Sequence, residues 1–502
     1  MDAFQYIAST FLTVLEPMNL LFLLAGTFIG FFLGIIPGLS GVNGVLVVLP
    51  FTFGMESGTA MLLIIGMMGG QVIGGSLTAI LLKVPGTPMN AATIFDGYPM
   101  AVRGEAGRAI SIAAFSSLFA SALSLVLFAL LVPVAKQVIL FLGPPELFML
   151  VMCGLVAVAL ASPGNFLKGI AGAGLGILLS LIGFSTALGG SRFMFGSKEY
   201  LWDGIEIVAI LLGMLAISQM IEYVVERRST VAKAEVVHTN FKGVMQGIRD
   251  IWTYRKTFAQ GSLIGFVIGL IPAVGGVLAN FLSYVTAMRS SKHPEAFGKG
   301  TPEGVIASET ANSSKDGGAL FPTIAFGIPG SAEMAILLGA FIFHGLQPGP
   351  LFIQEHPDIV WLLVYGLLIS NVIAAFVSLF LSPITSIVTK INLAYVIPFI
   401  VIATLIGVYS TRETIWDVML CIVFGIIGHF LRRHNYPVIT VVMGFVLGPL
   451  AEKFYFQAVG SSYGDPMIFL QRPLTILIGL IAIAILVWPI IGNIRKKGGV
   501  DA

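Results

Sequence analysis

The chain has 502 residues, 57% of them hydrophobic and 10% charged, with a formal net charge of +2 and a mean hydropathy of +0.96. A soluble domain carries about 25% charged residues, so this chain cannot cover a water-facing surface and reads as a polytopic membrane protein. No basic patch interleaved with aromatics occurs, and nucleic acid is not expected as a partner.

Residues 1–18 lack a basic n-region and an Ala-x-Ala site, so they read as an interfacial helix rather than a cleaved signal. Apolar runs then follow at 19–36, 57–83, 108–137, 146–162, 166–186 and 205–224. A second series runs through 259–271, 278–288, 317–327, 358–387, 392–409, 415–431, 436–450 and 473–494. Runs of about 20 residues suit membrane helices, and their continuity argues against a transmembrane barrel. Several are short or broken. The expectation is an all-α polytopic bundle with about a dozen crossings. Cys153 and Cys421 lie inside apolar runs and read as small buried hydrophobes.

A basic loop, 226–257, separates membrane repeat 1 (19–225) from membrane repeat 2 (258–494). Residues 226–256 hold seven Lys/Arg against three acids, which places the loop in the cytoplasm. The tail, 495–502, begins Arg495-Lys496-Lys497 and is expected on the same side.

The two parts share ordered motifs. "GFFLGIIPGLSGV" starts at residue 30 and "GFVIGLIPAVGGV" at 265, an offset of 235; Gly86 in "VPGT" corresponds to Gly330 in "IPGS", an offset of 244. The nine extra residues fit "RSSKHPEAF", 289–297. Two structurally related repeats are therefore expected, in inverted topology. Proline ends a helix and glycine permits the turn that follows. Within a membrane, such open backbone lasts only where protein buries it or a wet cavity meets it. Pro37-Gly38, Pro85-Gly86, Pro272 and Pro329-Gly330 thus read as tips of broken or re-entrant helices, with the ligand site between them.

Other rivals are weaker. No G-x-x-x-x-G-K-[ST] loop occurs, which disfavours an ATP-driven pump. "GSSYG" (460–464) fits G-x-S-x-G but sits in a polar loop between spans, without the strand-turn-helix elbow that chemistry needs. The six histidines show no metal spacing. An ion or solute channel built on re-entrant tips remains the alternative.

The motifs "GIIPGLSG", "VPGTPMNAATIFDGYPMAVRGEAGRA", "EGVIASETANSSKDGGALFPTIAFGIPGSAEMAILLGAF" and "MGFVLGPLAEKF" resemble the large membrane subunit of the tripartite tricarboxylate transporters, from about residue 20 to 490. The resemblance implies secondary active uptake of small carboxylates across a bacterial inner membrane, not an enzyme. It implies a small four-helix membrane subunit and a periplasmic substrate-binding protein as partners. It also implies a Na⁺ or H⁺ gradient and no cofactor.

Substrate contacts are assigned to Ser40, Asn43, Thr87, Asn280 and Ser331, with Gly41, Gly86 and Gly330 exposing backbone. Cation coupling is assigned to backbone carbonyls with Ser283, Asn312 and Ser313 if the ion is Na⁺, and to Glu309 or Asp96 if it is a proton. No metal site beyond Na⁺ is expected. Lys83 is the first Lys or Arg in the chain and precedes a Pro-Gly tip by two residues. It is assigned to the substrate site, where it pairs with a substrate carboxylate, the alternative being that it snorkels to the headgroups, because a cation at mid-membrane depth costs roughly 2.5–3.5 kcal/mol.

Overall fold

The computed structural model describes residues 3–36, 41–139, 142–161, 166–185, 189–197, 200–226, 241–271, 276–381 and 393–483. Pro37, Gly38, Ser40, Pro272 and the tail 495–502 lie outside the described residues, as does the side chain of Asn43. The described chain is helical except for one short antiparallel hairpin, β1 (Gly183–Ser185) with β2 (Gly190–Arg192). The run at 166–186 therefore ends early: its helix stops at Ser180.

Six described helices are long and apolar enough to cross a membrane: Pro17–Ile35, Ser57–Leu82, Ile94–Val134, Pro357–Phe380, Ile415–Arg433 and Val438–Ser461. Shorter apolar helices include Leu167–Ser180, Ile207–Glu222 and Ala332–Phe343. Within the basic loop, Phe241–Thr253 is an amphipathic helix. Its Asp250 accepts hydrogen bonds from Arg108 Nε (2.6 Å) and Nη2 (2.9 Å).

In chain order, the elements that build the centre are α1 (Ala3–Leu15), α2 (Pro17–Ile35), α3 (Gly41–Val48) and α4 (Ser57–Leu82). Next come α5 (Ile94–Met100) and α6 (Ala106–Ile139). The second half supplies α7 (Arg255–Leu270), α8 (Gly276–Ser290), α9 (Pro302–Phe326) and α10 (Ala332–Phe343). Helix α9 is a correction to the reading of its sequence. The expected run began at 317, yet the helix begins at Pro302 and its polar first half, from Gly304 onward, is buried. Those polar side chains escape the hydropathy signal because their partners are other buried polar groups.

Helices α4 and α9 run antiparallel. Ser76 on α4 meets Glu309 on α9, while Gln71, earlier on α4, shares a cavity with Lys315, later on α9. Each long helix carries a helical hairpin. Helix α2 runs alongside α4 from its start, where Thr59 donates to Asn19 Oδ1 at 2.7 Å. The chain then returns through α3 to Thr52, which meets His344 Nε2 at 3.0 Å, close to where α4 begins. Helix α7 runs alongside α9 from its start, where Thr257 donates to Glu303 Oε1 at 2.8 Å. Helix α8 returns to that end, and Ser291 donates to Glu303 Oε2 at 2.7 Å. Because α4 and α9 oppose each other, the two hairpins enter the bundle from opposite ends.

Glycines permit these close approaches. A β-carbon at Gly30 would lie 2.0 Å from Met67 O, and one at Gly265 2.5 Å from Ala311 O. Gly26 and Gly34 meet Leu63 O and Gln71 O in the same way, and Gly261 and Gly269 approach Ala307 O and Lys315 O. Contact between backbones is how membrane helices gain packing energy where no hydrophobic drive exists between them. Gly30→Ala and Gly265→Ala are each expected to lower stability by about 1–3 kcal/mol, the usual cost of overpacking. This would be read as a lower Tm in detergent. Gly460→Ala is the control, since its β-carbon would meet nothing within 4 Å. Unchanged Tm in both interface variants would show that the helices do not pack this closely.

Candidate functional site

The first tip follows α4. Lys83 caps that helix in the left-handed region, φ 57°, an uncommon conformation for a residue with a β-carbon. The Val-Pro-Gly-Thr break then turns the chain into a 3₁₀ turn, Pro88–Ala91. Thr87 donates to Asn90 Oδ1 at 2.6 Å, and Asn90 donates to Ser76 Oγ at 2.9 Å. Ser76 in turn donates to Glu309 Oε2 at 2.8 Å. Thr93 donates to Glu309 Oε1, and Ser117 of α6 donates to Oε2 at 3.2 Å. Three hydroxyls thus hold a fully buried carboxylate, and the chain of bonds ties the first tip to α9.

The second tip follows α9 and also opens on a left-handed residue, Gly327, φ 67°. Gly330 N donates to Thr323 Oγ1 at 3.3 Å, and Met334 N donates to Ser331 Oγ at 3.3 Å, which caps α10. Asn280 of α8 donates to Met89 O at 2.6 Å, and Ser283 donates to Ala307 O at 2.6 Å. One side of the Asn280 amide, both ends of the Asn312 amide and the Ser313 hydroxyl are buried without a hydrogen-bond partner among the described residues.

Between the tips lies a cavity of about 20 Å³, lined in part by Gln71, Thr87, Met89, Lys315, Asp316 and Glu333. That is room for about one water-sized particle. Lys315 is 3% exposed, Asp316 6% and Glu333 8%. The Lys315 ammonium donates to Asp316 Oδ1. The lysine stem passes over the backbone of Gly276, where a β-carbon would lie 2.4 Å from Lys315 Cδ. Glu333 Oε2 has no partner among the described residues.

The structure brings Thr87, Asn280 and Glu309 into the contacts between the two halves, whereas Ser283 bonds within the second half, to Ala307 O. Gly86 and Gly330 pack against α4 and α9 respectively, with β-carbons that would lie 2.5 Å from Gly75 Cα and 2.6 Å from Ala319 Cα. Gly41 opens α3. Asp96 is placed elsewhere: it is fully buried and accepts from Gly300 N (2.7 Å), Thr301 N (2.9 Å) and Tyr284 Oη (2.7 Å). It thereby holds the start of α9. Lys83 is exposed, with its ammonium 5.6 Å from the centre of the Tyr98 ring, and does not line the cavity. Gln71, Asp316 and Glu333 were not anticipated as site residues, nor was Lys315. Glu333 carried a usable signal: it is the sole charged residue between Asp316 and Glu355, and an ionisable group in such an apolar stretch marks function.

A larger cavity of about 490 Å³ lies at the bundle end near Asp203, Glu206, Arg412 and Lys453. Arg412 there is already paired with Glu206, at 2.6 Å. Helix α10 links the two spaces, because Leu338 and Ile342 line the large one and Glu333 the small one. The small cavity has the buried charges and the broken helices, so it is the candidate site.

Opposed helical hairpins around a buried charged cavity define a membrane transport protein. The chain belongs to the tripartite tricarboxylate transporter TctA family, which matches residues 20–443. It is therefore a membrane component of a transport system with further subunits, not an enzyme. It is 32% identical over 504 residues to an uncharacterized 52.8 kDa protein in the TAR-I ttuC' 3' region of Agrobacterium vitis, covering 99% of this chain and 98% of that relative. It is also 34% identical over 233 residues to an uncharacterized protein in the TAR-II ttuC' 3' region of the same organism, covering 46% of this chain and 96% of that relative. No solved structure matches the chain.

Replacing Asp96 by Ala strands three donors, two backbone N–H groups and the Tyr284 hydroxyl. Loss of an N-terminal cap costs about 0.5–2 kcal/mol, and each buried group left unpaired adds about 1–3 kcal/mol. Asp96→Ala is expected to lower Tm clearly and Asp96→Asn less. A wild-type Tm in Asp96→Ala would remove its assignment as the anchor of α9.

Proposed function

We propose that this protein is the membrane subunit of a secondary carrier that imports small carboxylates, with substrate held between the two broken-helix tips. The observation that carries this reading is the place of Lys315, a cation buried in the protein interior beside both tips. A buried cation persists only when paired, and an incoming carboxylate can take the place of Asp316 as its partner. The N-terminus of α10, with Ser331 as its cap, points partial positive charge the same way.

Inverted repeats are part of the proposal. The equal spacings of Gly26, Gly30 and Gly34 against α4, and of Gly261, Gly265 and Gly269 against α9, support it. So does the antiparallel course of α4 and α9. The two halves are then one unit used twice, facing opposite sides of the membrane. We place the basic loop in the cytoplasm, in a bacterial inner membrane. The carboxylate is delivered by an extracytoplasmic binding protein, alongside a small four-helix membrane subunit, and a Na⁺ or H⁺ gradient drives uptake. The small size of the cavity, room for about one water-sized particle, supports a carrier rather than an open channel.

The test is uptake of a panel of labelled di- and tricarboxylates by cells carrying the complete transporter. Lys315→Met is expected to raise the half-saturating substrate concentration at least tenfold, a loss of about 1.4 kcal/mol. Lys315→Gln keeps a hydrogen-bond donor beside Asp316 while removing the charge, and should behave alike. Lys83→Met separates the two lysines. A tenfold loss there, with normal kinetics in both Lys315 variants, moves the anion site to Lys83.

A further inference from the structure

The cavity residues do not balance in charge. Lys315 contributes one positive charge, Asp316 and Glu333 one negative charge each, so the cluster stands at −1 when all three are ionised. The other described lining residues, Met68, Gln71, Val72, Thr87 and Met89, are uncharged. A substrate carboxylate would bring the buried total to −2 or beyond. Uncompensated buried charge is so costly that a protein neutralises it by binding a proton or a cation instead.

We infer that Asp316 and Glu333 form the binding site of the coupling cation, directly beside the substrate position. This rests on the carrier reading above and names which carboxylates couple it. Glu333 is more than nine-tenths buried, lines the cavity, and has one carboxylate oxygen with no partner among the described residues. The cavity has room for about one water-sized particle, and Thr87 also lines it. Oxygen ligands of this kind suit a hard cation such as Na⁺, and the same two carboxylates would accept a proton.

The other buried carboxylates near the tips are already committed. Both oxygens of Glu309 are taken by the hydroxyls of Ser76, Thr93 and Ser117. Asp96 is taken by two backbone N–H groups and a tyrosine. Glu309 also lies seven residues before Asp316, about 10 Å along the helix at 1.5 Å per residue, too far to share one ion with it. One monovalent cation takes the cluster from −1 to 0, and by drawing on Asp316 it frees Lys315 to pair with a substrate carboxylate. With one carboxylate bound the buried total is then −1 instead of −2, so the ion favours substrate binding and the substrate favours the ion.

The experiment is thermal unfolding of the purified full-length protein in detergent, with no carboxylate present. One arm titrates NaCl against choline chloride at fixed pH; the other lowers pH in choline chloride alone. Wild type is expected to gain Tm saturably in one arm, which identifies Na⁺ or H⁺ as the ion. Glu333→Gln and Asp316→Asn should each shift that midpoint at least tenfold or abolish it, whereas Glu309→Gln should retain it. Should Glu333→Gln not fold, Glu333→Asp keeps the charge at shorter reach and should weaken binding severalfold. No ion response in wild type overturns the proposal, as does a wild-type midpoint in the variants or a loss confined to Glu309→Gln. Because no substrate is present, this result stands apart from the uptake test of Lys315.

Discussion

A polar helix in the middle of an apolar bundle must find all its partners inside the protein. Helix α9 is such a helix: Glu309, Asn312, Ser313, Lys315 and Asp316 lie buried within two turns of one another. In lipid or in a dry core an unmet polar group costs several kcal/mol, so everything packed against α9 is shaped by this requirement. Helix α4 answers with Ser76, α6 with Ser117, and the turn after the first break with Thr93. Two of these bonds come from long regular helices, and only Thr93 belongs to the segment after the break. The segment after the first break therefore contributes twice, bonding Glu309 through Thr93 and bringing Thr87 to the small gap beside Lys315.

Glycine makes the arrangement geometrically feasible. The hydroxyl and carboxyl groups involved have short side chains, so the helices that carry them have to come close. Helix α2 lies against α4, and α7 against α9, at separations that leave no space for a β-carbon at three successive glycines each. Close backbone packing fixes the depth of each hairpin relative to its long helix. Two of these glycines sit directly behind the cavity wall, because Gly34 meets Gln71 O and Gly269 meets Lys315 O. The same close packing therefore backs the residues that line the cavity.

The carboxylates are sorted by what they touch. Asp96 is consumed in holding the start of α9, and Glu309 in joining α4, α6 and α9. Glu146, at the far end, accepts from Thr475 at 2.6 Å and pairs with Arg472 at 3.0 Å. Asp316 and Glu333 face the gap with a single lysine between them. On the proposed reading, this charge deficit beside the two tips is what ties the anion to a cation. It also explains why the protein retains an ion pair that would otherwise be replaceable by apolar residues at no cost in stability.

The amino-acid sequence by itself determined that this is a helical membrane protein, because 57% hydrophobic content and runs of membrane length leave no other way to satisfy the backbone. The helix expected over 57–83 is observed at Ser57–Leu82, since an uninterrupted apolar run is bounded by a Pro-Gly break. The doubled breaks and the family motifs were also legible, being local in sequence. What only the tertiary structure decided was which charges share one place. Lys83 drew attention because it ends an apolar run, and it lies exposed; Lys315, inside a stretch resembling a polar loop, is buried at the cavity. Glu333 joins it through a chain reversal after Gly327. Hydropathy averages over neighbours along the chain, whereas electrostatic compensation operates between groups that are neighbours in space, and an average does not say whether Lys315 and Glu333 meet or are buried.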